Sequence, residues 1–436
     1  MPTSLRGIAN RARKDKAAQF GDLCGLFSEQ NLCWCFHQLR KKAACGVDGV
    51  TFEEYERNLN DNLGGLVERL KKGTYRARLI RRKNIPKGNG LTRPLGIPVL
   101  EDKLLQLAAS KILTAIFDGD FSENSWGYRQ GRGAREASRV LADTMFHGRF
   151  GWVVEADIKG FFTNLDHDWM VKMLEERVKD RPFIRLIQKW MKAGVLEEDG
   201  TVVHPATGTP QGGIISPVLS NIYLHYVLDL WFEKVVKKAC KGDAYILRYA
   251  DDFVCAFEYE EDAKRFLESL NKRLGKFHLE VAPDKTRMLR FSRFNEEPNE
   301  AFEFLGFEFR WVRSHKGKMW VRRRTSPKKL RASISAFTEW IKRSRHLPIK
   351  IMMRKVAQKL RGYWNYYGVI GNMKSLTVLK RACVKLLFKW LNRRSQKRSY
   401  NWAGFNKMCE HFELPLPRIV ETINRQQELR WTVSAK

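Results

Sequence analysis

At 436 residues and 50.9 kDa the chain is too long for one ordinary core, and its 43% hydrophobic content can fill two or three packed domains. A formal net charge of +32 and a pI near 9.9 lie far beyond what solubility needs and point to a polyanionic partner, nucleic acid before membrane. No apolar run reaches membrane-spanning length, no signal-peptide core is present, and eight scattered cysteines without a disulfide-like framework fit a reducing compartment.

In chain order, a basic opening (Arg6, Arg11, Arg13, Lys14, Lys16) reads as an RNA-touching arm, with an organellar transit sequence as the other reading. Residues 1 to about 75 carry helical spacing, such as Leu59, Leu63, Leu66, Val67 and Leu70. Cys24, Cys33, Cys35, Cys45 and His37 cluster here without C-x-x-C spacing, so buried thiols are expected rather than zinc. Next, Ile85-Pro-Lys-Gly-Asn-Gly-Leu-Thr-Arg-Pro-Leu-Gly-Ile-Pro98 alternates around Gly and Pro, predicting a strand pair with a basic loop whose Lys87 and Arg93 can meet phosphates. The Gly-rich loop Ser125-Trp-Gly-Tyr-Arg-Gln-Gly-Arg-Gly133 permits close backbone approach, with Arg129 and Arg132 supplying charge.

Trp152-Val-Val-Glu-Ala-Asp157 reads as a strand ending on a carboxylate, followed by a turn through Phe161 and Phe162. Residues 183 to 196 look helical, and Thr209-Pro-Gln-Gly-Gly-Ile-Ile-Ser-Pro217 is a tight loop opening a long apolar helix. Ala244 to Phe257 reads as a hairpin lifting Asp251 and Asp252 out at its tip, and Phe302 to Phe309 as a strand pair. This order predicts an α+β palm. From about 326 the pattern is helical, with helices over 327–344, 349–366 and 373–393. Between 310 and 400 there are 27 Lys and Arg against a single acid, Glu339, which leaves +26 of the +32 in about a fifth of the chain. Interleaved Trp311, Trp320, Trp340, Trp364, Tyr366, Tyr367 and Trp390 read as core for the most part, with base stacking as the other role.

If the hairpin pairs with the strand ending at 157, then Asp157, Asp251 and Asp252 share one sheet edge. Three carboxylates in one place repel each other, and a divalent metal is the usual relief.

Asp-Asp alone is common in solvated turns; order and company make the difference. The 85–98 loop, Glu155-Ala-Asp-Ile-Lys-Gly-Phe-Phe162, the 208–217 loop, Tyr249-Ala-Asp-Asp252, Pro283-Asp-Lys-Thr286 and Phe304-Leu-Gly-Phe307 follow the order and spacing of reverse transcriptase blocks. From about residue 40 to about 420 the chain resembles a group II intron reverse transcriptase/maturase, with Leu360-Arg-Gly-Tyr-Trp-Asn-Tyr-Tyr367 and Trp390-Leu-Asn-Arg-Arg-Ser395 resembling the maturase signature. The resemblance implies a right-hand polymerase with Asp157 and Asp251 as principal ligands of two Mg²⁺ ions, for which Mn²⁺ can substitute, and Asp252 completing the site. It implies that Lys87 and Arg93 grip the triphosphate, Gln211 contacts the nucleotide, and Lys285 steadies the site. Phe162 would be the steric gate against ribonucleotides, with Phe161 as the alternative and palm core as the bland role of either. Gly212 and Gly213 would let the primer–template pass, and Arg129, Arg322, Arg323, Arg324, Lys328, Lys329, Arg331 and Arg361 would contact nucleic acid.

The domains expected are an N-terminal extension with helical fingers (1–75), fingers and palm (76–310), a basic helical thumb (311–400) and a C-terminal nucleic-acid-binding tail (401–436). The partners expected are RNA template, DNA primer, dNTPs and intron RNA, without a membrane, in the cytoplasm or an organelle. No His-Asn-His or Cys-x-x-C endonuclease pattern follows residue 400, so the resemblance is to compact members lacking that activity. Two rival readings are a free-standing domesticated enzyme of DNA repair or phage defence and an RNA-binding splicing cofactor without polymerase activity.

Overall fold

The computed structural model describes residues 2–88, 91–209, 212–294, 300–314, 316–394 and 399–422. The chain is an α+β protein. It divides into two compact units, one made of Met1–Arg132, Val154–Cys255 and Glu261–Arg287, the other of Gly133–Val153, Ala256–Glu260 and Met288–Lys436.

In the first unit the expected N-terminal helices form over Pro2–Lys14, Glu29–Phe36, Phe52–Arg57 and Leu59–Lys71. Local chemistry sets their starts: Ser28 caps the second, and Thr51 and Glu54 close a reciprocal capping box on the third. Leu100–Phe117 is the central helix, buried on nearly every side. Taken along the whole chain rather than by unit, the first eight strands are β1 (Ile80–Gly88), β2 (Leu91–Ile97), β3 (Trp152–Ala156), β4 (Val195–Leu196), β5 (Val202–Val203), β6 (Ala244–Tyr249), β7 (Asp252–Phe257) and β8 (Arg287–Arg290). One sheet has the order β2-β1-β4-β5, with β1 and β2 antiparallel and a register shift between Pro86 and Gly88. A second has the order β6-β7-β3-β8. The helix expected over 183–196 spans Arg181–Met191 instead, because the chain leaves helical geometry at Lys192 and Val195 and Leu196 pair with β1 and β5.

The second unit holds an antiparallel sheet of β9 (Phe302–Phe304), β10 (Phe307–Arg313) and β11 (Met319–Thr325), in the order β11-β10-β9. Leu305 and Gly306 turn β9 into β10 with φ of 52° and 78°, and Tyr366 donates from its hydroxyl to the Leu305 carbonyl. Helices Pro327–Ser344, Ile349–Tyr367 and Met373–Leu391 lie where the spacing predicted them, and Trp402–His411 follows. They close on Ile341, Met352, Leu360, Trp364, Leu376 and Phe405. The helices thus begin at Pro327, where the spacing from about 326 put them, and residues 311–325 of the basic region expected as a helical thumb form strands instead. Phe309, Trp311, Val321, Arg323 and Thr325 alternate inward with half-buried neighbours, a period of two that makes a hairpin, while Glu308 is buried among its arginine partners.

Arg323 itself is buried, with both guanidinium-to-Glu421 bonds at 2.7–2.8 Å and Ser138 at 3.1 Å. Arg323→Ala would leave a Glu421 carboxylate whose side chain is only 6% exposed without its cation, still accepting from the Ile370 N–H at 3.0 Å, so we expect a loss of about 3 kcal/mol in urea unfolding of this unit. A midpoint unchanged within error would show the pair to be dispensable.

Candidate active site

The site is built by a hairpin and a strand end, and Asp157, Asp251, Asp252 and Lys285 all lie in the first unit. β6 buries Ile246, Leu247 and Arg248, β7 buries Phe253 to Phe257, and between them Ala250 takes a φ of 59°. That left-handed turn in a residue with a Cβ costs about 1 kcal/mol, and it places Asp251 at the tip and Asp252 at the head of β7. β7 neighbours β3 in the sheet, and Asp157 is the first residue beyond β3. The Asp157 carbonyl accepts from Ala282 N–H at 2.8 Å, and Ile158 bridges Val281. This pairing presents the next turn, Pro283–Lys285, so that Lys285 forms an ion pair with the Asp157 carboxylate.

Electrostatics bind the three carboxylates into one group. Loss of water, then the charges of Asp251 and Asp157, push the Asp252 carboxyl up to about 6. Loss of water and Asp157 likewise raise Asp251, and Lys285 is held above its usual range chiefly by its hydrogen bond to Asp157. Among the described residues no three His, Cys, Asp or Glu already enclose a point where an ion could sit. Instead the Lys285 ammonium occupies Asp157 as an internal counter-ion. Hard carboxylates that resist ionisation, partly neutralised by a neighbouring cation, are the donor set that suits a divalent metal.

The sign of the pH effect follows. A carboxyl whose folded pKa lies above its unfolded one costs stability above that pKa and ceases to do so as pH falls through it. In chelator, Asp252→Asn should therefore stabilise the protein near pH 7, by about 1 kcal/mol once solvent screening of this exposed residue is allowed for, and the gain should fade toward pH 5. A thermal-melt series in which the variant is never the more stable would contradict the charge cluster.

The other expected residues are distributed as follows. Arg93 is exposed on β2, and its charge acts on both Asp251 and Tyr128. Lys87 lies in β1, with its side chain outside the described residues, and Gln211 also lies outside them. Gly212 has a φ of 113°, and a Cβ there would meet the Gly96 carbonyl at 2.6 Å, so packing against β2 accounts for it; Gly213 is buried. Phe161 is 1% exposed and lies edge-on to Tyr223, whereas Phe162 is 9% exposed.

The expectation that Arg129 contacts nucleic acid is overturned. Its guanidinium is buried, bonded to Asp118 at 2.8 Å and to the carbonyls of Ser122, Ser125 and Asp118, so it pins the Gly-rich loop. Of the patch expected on the second unit, Arg323 is consumed by Glu421, Arg324 pairs with Glu308 at 2.7 Å, and Arg322 is half-buried. Lys328, Lys329, Arg331 and Arg361 are exposed on helices. Sequence reasoning missed Tyr128, whose φ is 60° and whose hydroxyl is raised by loss of water and by Asp251. Its signal was an aromatic inside a glycine loop.

Residues 85–309 match the family model described as reverse transcriptase (RNA-dependent DNA polymerase), and residues 327–407 match the group II intron, maturase-specific domain. The chain is 32% identical to the group II intron-encoded protein LtrA of Lactococcus lactis subsp. cremoris over 274 residues, 60% of this chain and 45% of that protein. It is 30% identical to protein YkfC of Escherichia coli K12 over 309 residues, covering 63% of this chain and 78% of YkfC. It is 33% identical to a putative COX1/OXI3 intron 1 protein of Saccharomyces cerevisiae over 211 residues, 48% of this chain and 25% of that protein. The chain thus spans about half the length of LtrA and a quarter of the yeast protein.

Proposed function

The chain belongs to the reverse transcriptase (RNA-dependent DNA polymerase) family and carries a group II intron maturase-specific domain, and we propose that it copies RNA into DNA and binds intron RNA to assist splicing and retrohoming. The observation that carries the polymerase reading is the pairing of β7 with β3 in one sheet, which brings Asp157, just beyond the end of β3, to the hairpin tip of Asp251 and Asp252. In this reading residues 76–310 supply fingers and palm, with the helices of 1–75 joining the fingers, and residues 311–400 supply the thumb.

Asp157, Asp251 and Asp252 would hold two Mg²⁺ ions, replaceable by Mn²⁺. Bound divalent metal supplies activation of a primer 3′-hydroxyl and neutralisation of the leaving pyrophosphate. The protein's own groups do the positioning. Arg93, and Lys87 on the facing strand, would grip the triphosphate by charge-assisted bonds. Lys285, with its side chain 66% exposed beyond Asp157, can follow the negative charge of an entering nucleotide. Phe162 would lie under the sugar, and Gln211 would contact the nucleotide. Exposed Lys328, Lys329, Arg331 and Arg361 would hold the RNA–DNA duplex and intron RNA through phosphates, reading shape. No helix among the described residues is long and apolar enough to cross a membrane, and we place the protein with nucleic acid in the cytoplasm or an organelle.

The test is primer extension on an RNA template with dNTPs and Mg²⁺. We expect template-length DNA that chelation abolishes. No extension across Mg²⁺ and Mn²⁺ concentrations would overturn the polymerase reading.

A further inference from the structure

Arg248 is 1% exposed, and all the hydrogen-bonding directions of its guanidinium are used. Its Nε and one Nη donate to Asp229 at 2.8 and 2.6 Å, and the same Nη donates to Ser125 Oγ at 2.7 Å. The other Nη donates to Asn221 Oδ1 at 3.1 Å and to the Ala250 carbonyl at 2.9 Å. The last bond matters most, because Ala250 is the left-handed residue whose conformation throws Asp251 and Asp252 to the tip.

Two further features serve the same end. The helix that opens at Ser216 passes at His225–Asp229 into a π-helical turn, where Leu230 N–H bonds to the His225 carbonyl. The widened turn is the local irregularity that accompanies Asp229's bidentate grip on Arg248; such turns recur at functional sites. The Gly-rich loop also backs directly onto the hairpin. Arg248 N–H donates to the Asn124 carbonyl and Trp126 N–H to the Arg248 carbonyl, both at 2.9 Å, while Asn221 donates to the Gly127 carbonyl at 2.8 Å. A Cβ on Gly127 would fall 2.2 Å from the Ala250 nitrogen, so the loop can seat the turn only with glycine there.

We propose that Arg248 is the positioning residue of the metal site: it ties the Asp251–Asp252 turn, through the Ala250 carbonyl, to Asp229 on the π-turn and to the Ser125–Gly127 loop. Without the tie, the strained Ala250 turn relaxes and the two carboxylates lose their fixed relation to Asp157. Arg248 touches no reacting atom; it acts through the turn. The inference rests on the metal-site reading above, with metal binding as its own readout.

Arg248→Lys keeps a cation against Asp229 but has one nitrogen where three are used. Titrating Mn²⁺ and following free ion by electron paramagnetic resonance, we expect affinity to fall by about tenfold or more. In primer extension we expect kcat to fall by about a hundredfold while the KM for dNTP moves less than about threefold. Millimolar guanidinium added to Arg248→Ala should restore part of the Mn²⁺ affinity. Arg177→Lys is the control: Arg177 is equally buried and paired with Asp120 at 2.8 Å, but its other bonds go to carbonyls of the N-terminal segment. It should lower the melting temperature and leave Mn²⁺ affinity unchanged. Folded Arg248→Lys that binds Mn²⁺ like wild type would overturn the proposal, as would losses that track melting temperature alike in both variants. Wild type that binds Mn²⁺ yet never extends a primer would count against the polymerase reading, with the positioning role still decided by the Mn²⁺ titrations.

Discussion

Asp251→Ala is expected to lower primer extension on an RNA template by about a thousandfold or more, while binding of the same RNA at matched salt changes less than about twofold. The size follows from what the residue would do. A ligand shared between metal and reacting groups contributes to the transition state, so its removal acts on kcat rather than on substrate binding. RNA affinity is a different quantity, set by many phosphate contacts, and the exposed cations of the second unit are untouched by the change. Misfolding is a poor explanation of such a loss, because burial and the Asp157 charge already raise the Asp251 carboxyl. Removing a charge that the folded state disfavours should leave the melting temperature in chelator equal or higher. Equal extension by variant and wild type would end the catalytic assignment of the hairpin tip.

How far the sequence disclosed this site depended on the kind of contact involved. Strand patterning made legible that Asp157 ends a strand and that Asp251 and Asp252 sit at a hairpin tip, and the order of the surrounding motifs singled the three out as candidates. The helices of the second unit were legible because three apolar stripes close on one core. Cations were not. Arg129, Arg323 and Arg324 read like Lys328 or Arg361 in a basic run, yet carboxylates distant in sequence take them up: Glu421 for Arg323, Asp118 for Arg129. The β10–β11 hairpin was hidden for the same reason, since arginines in the strands masked the period of two with net charge. Arg248 was illegible because nothing local distinguishes an arginine on a strand whose four side-chain partners, Asp229, Asn221, Ala250 and Ser125, lie 2 to 123 residues away. Charge counts therefore show where a basic region lies and not which of its cations are left exposed.

Phe162→Ala is expected to reduce discrimination between deoxyribonucleotides and ribonucleotides by about 10 to 100-fold, read as the ratio of kcat/KM values on one template. The two candidate rings are adjacent, so the choice rests on environment. Phe161 is 1% exposed and lies 6.1 Å from Tyr223 in an edge contact; Tyr223 in turn donates to the Phe277 carbonyl. That ring is core, and its truncation should cost about 3 kcal/mol or more in stability without changing sugar choice. Phe162 is 9% exposed, at the start of a one-turn helix that follows the left-handed Gly160, and its carbonyl accepts from Thr209 at the loop that leads to Gln211. A side chain fixed by its backbone on both sides, with a sliver of surface, can exclude a hydroxyl by volume. Both rings are buried and touch, 5.4 Å between centroids, so both truncations should lower the melting temperature, and sugar choice is the readout that separates gate from core: altered in Phe162→Ala, unchanged in Phe161→Ala. Unchanged selectivity in Phe162→Ala, with altered selectivity in Phe161→Ala, would move the gate by one residue.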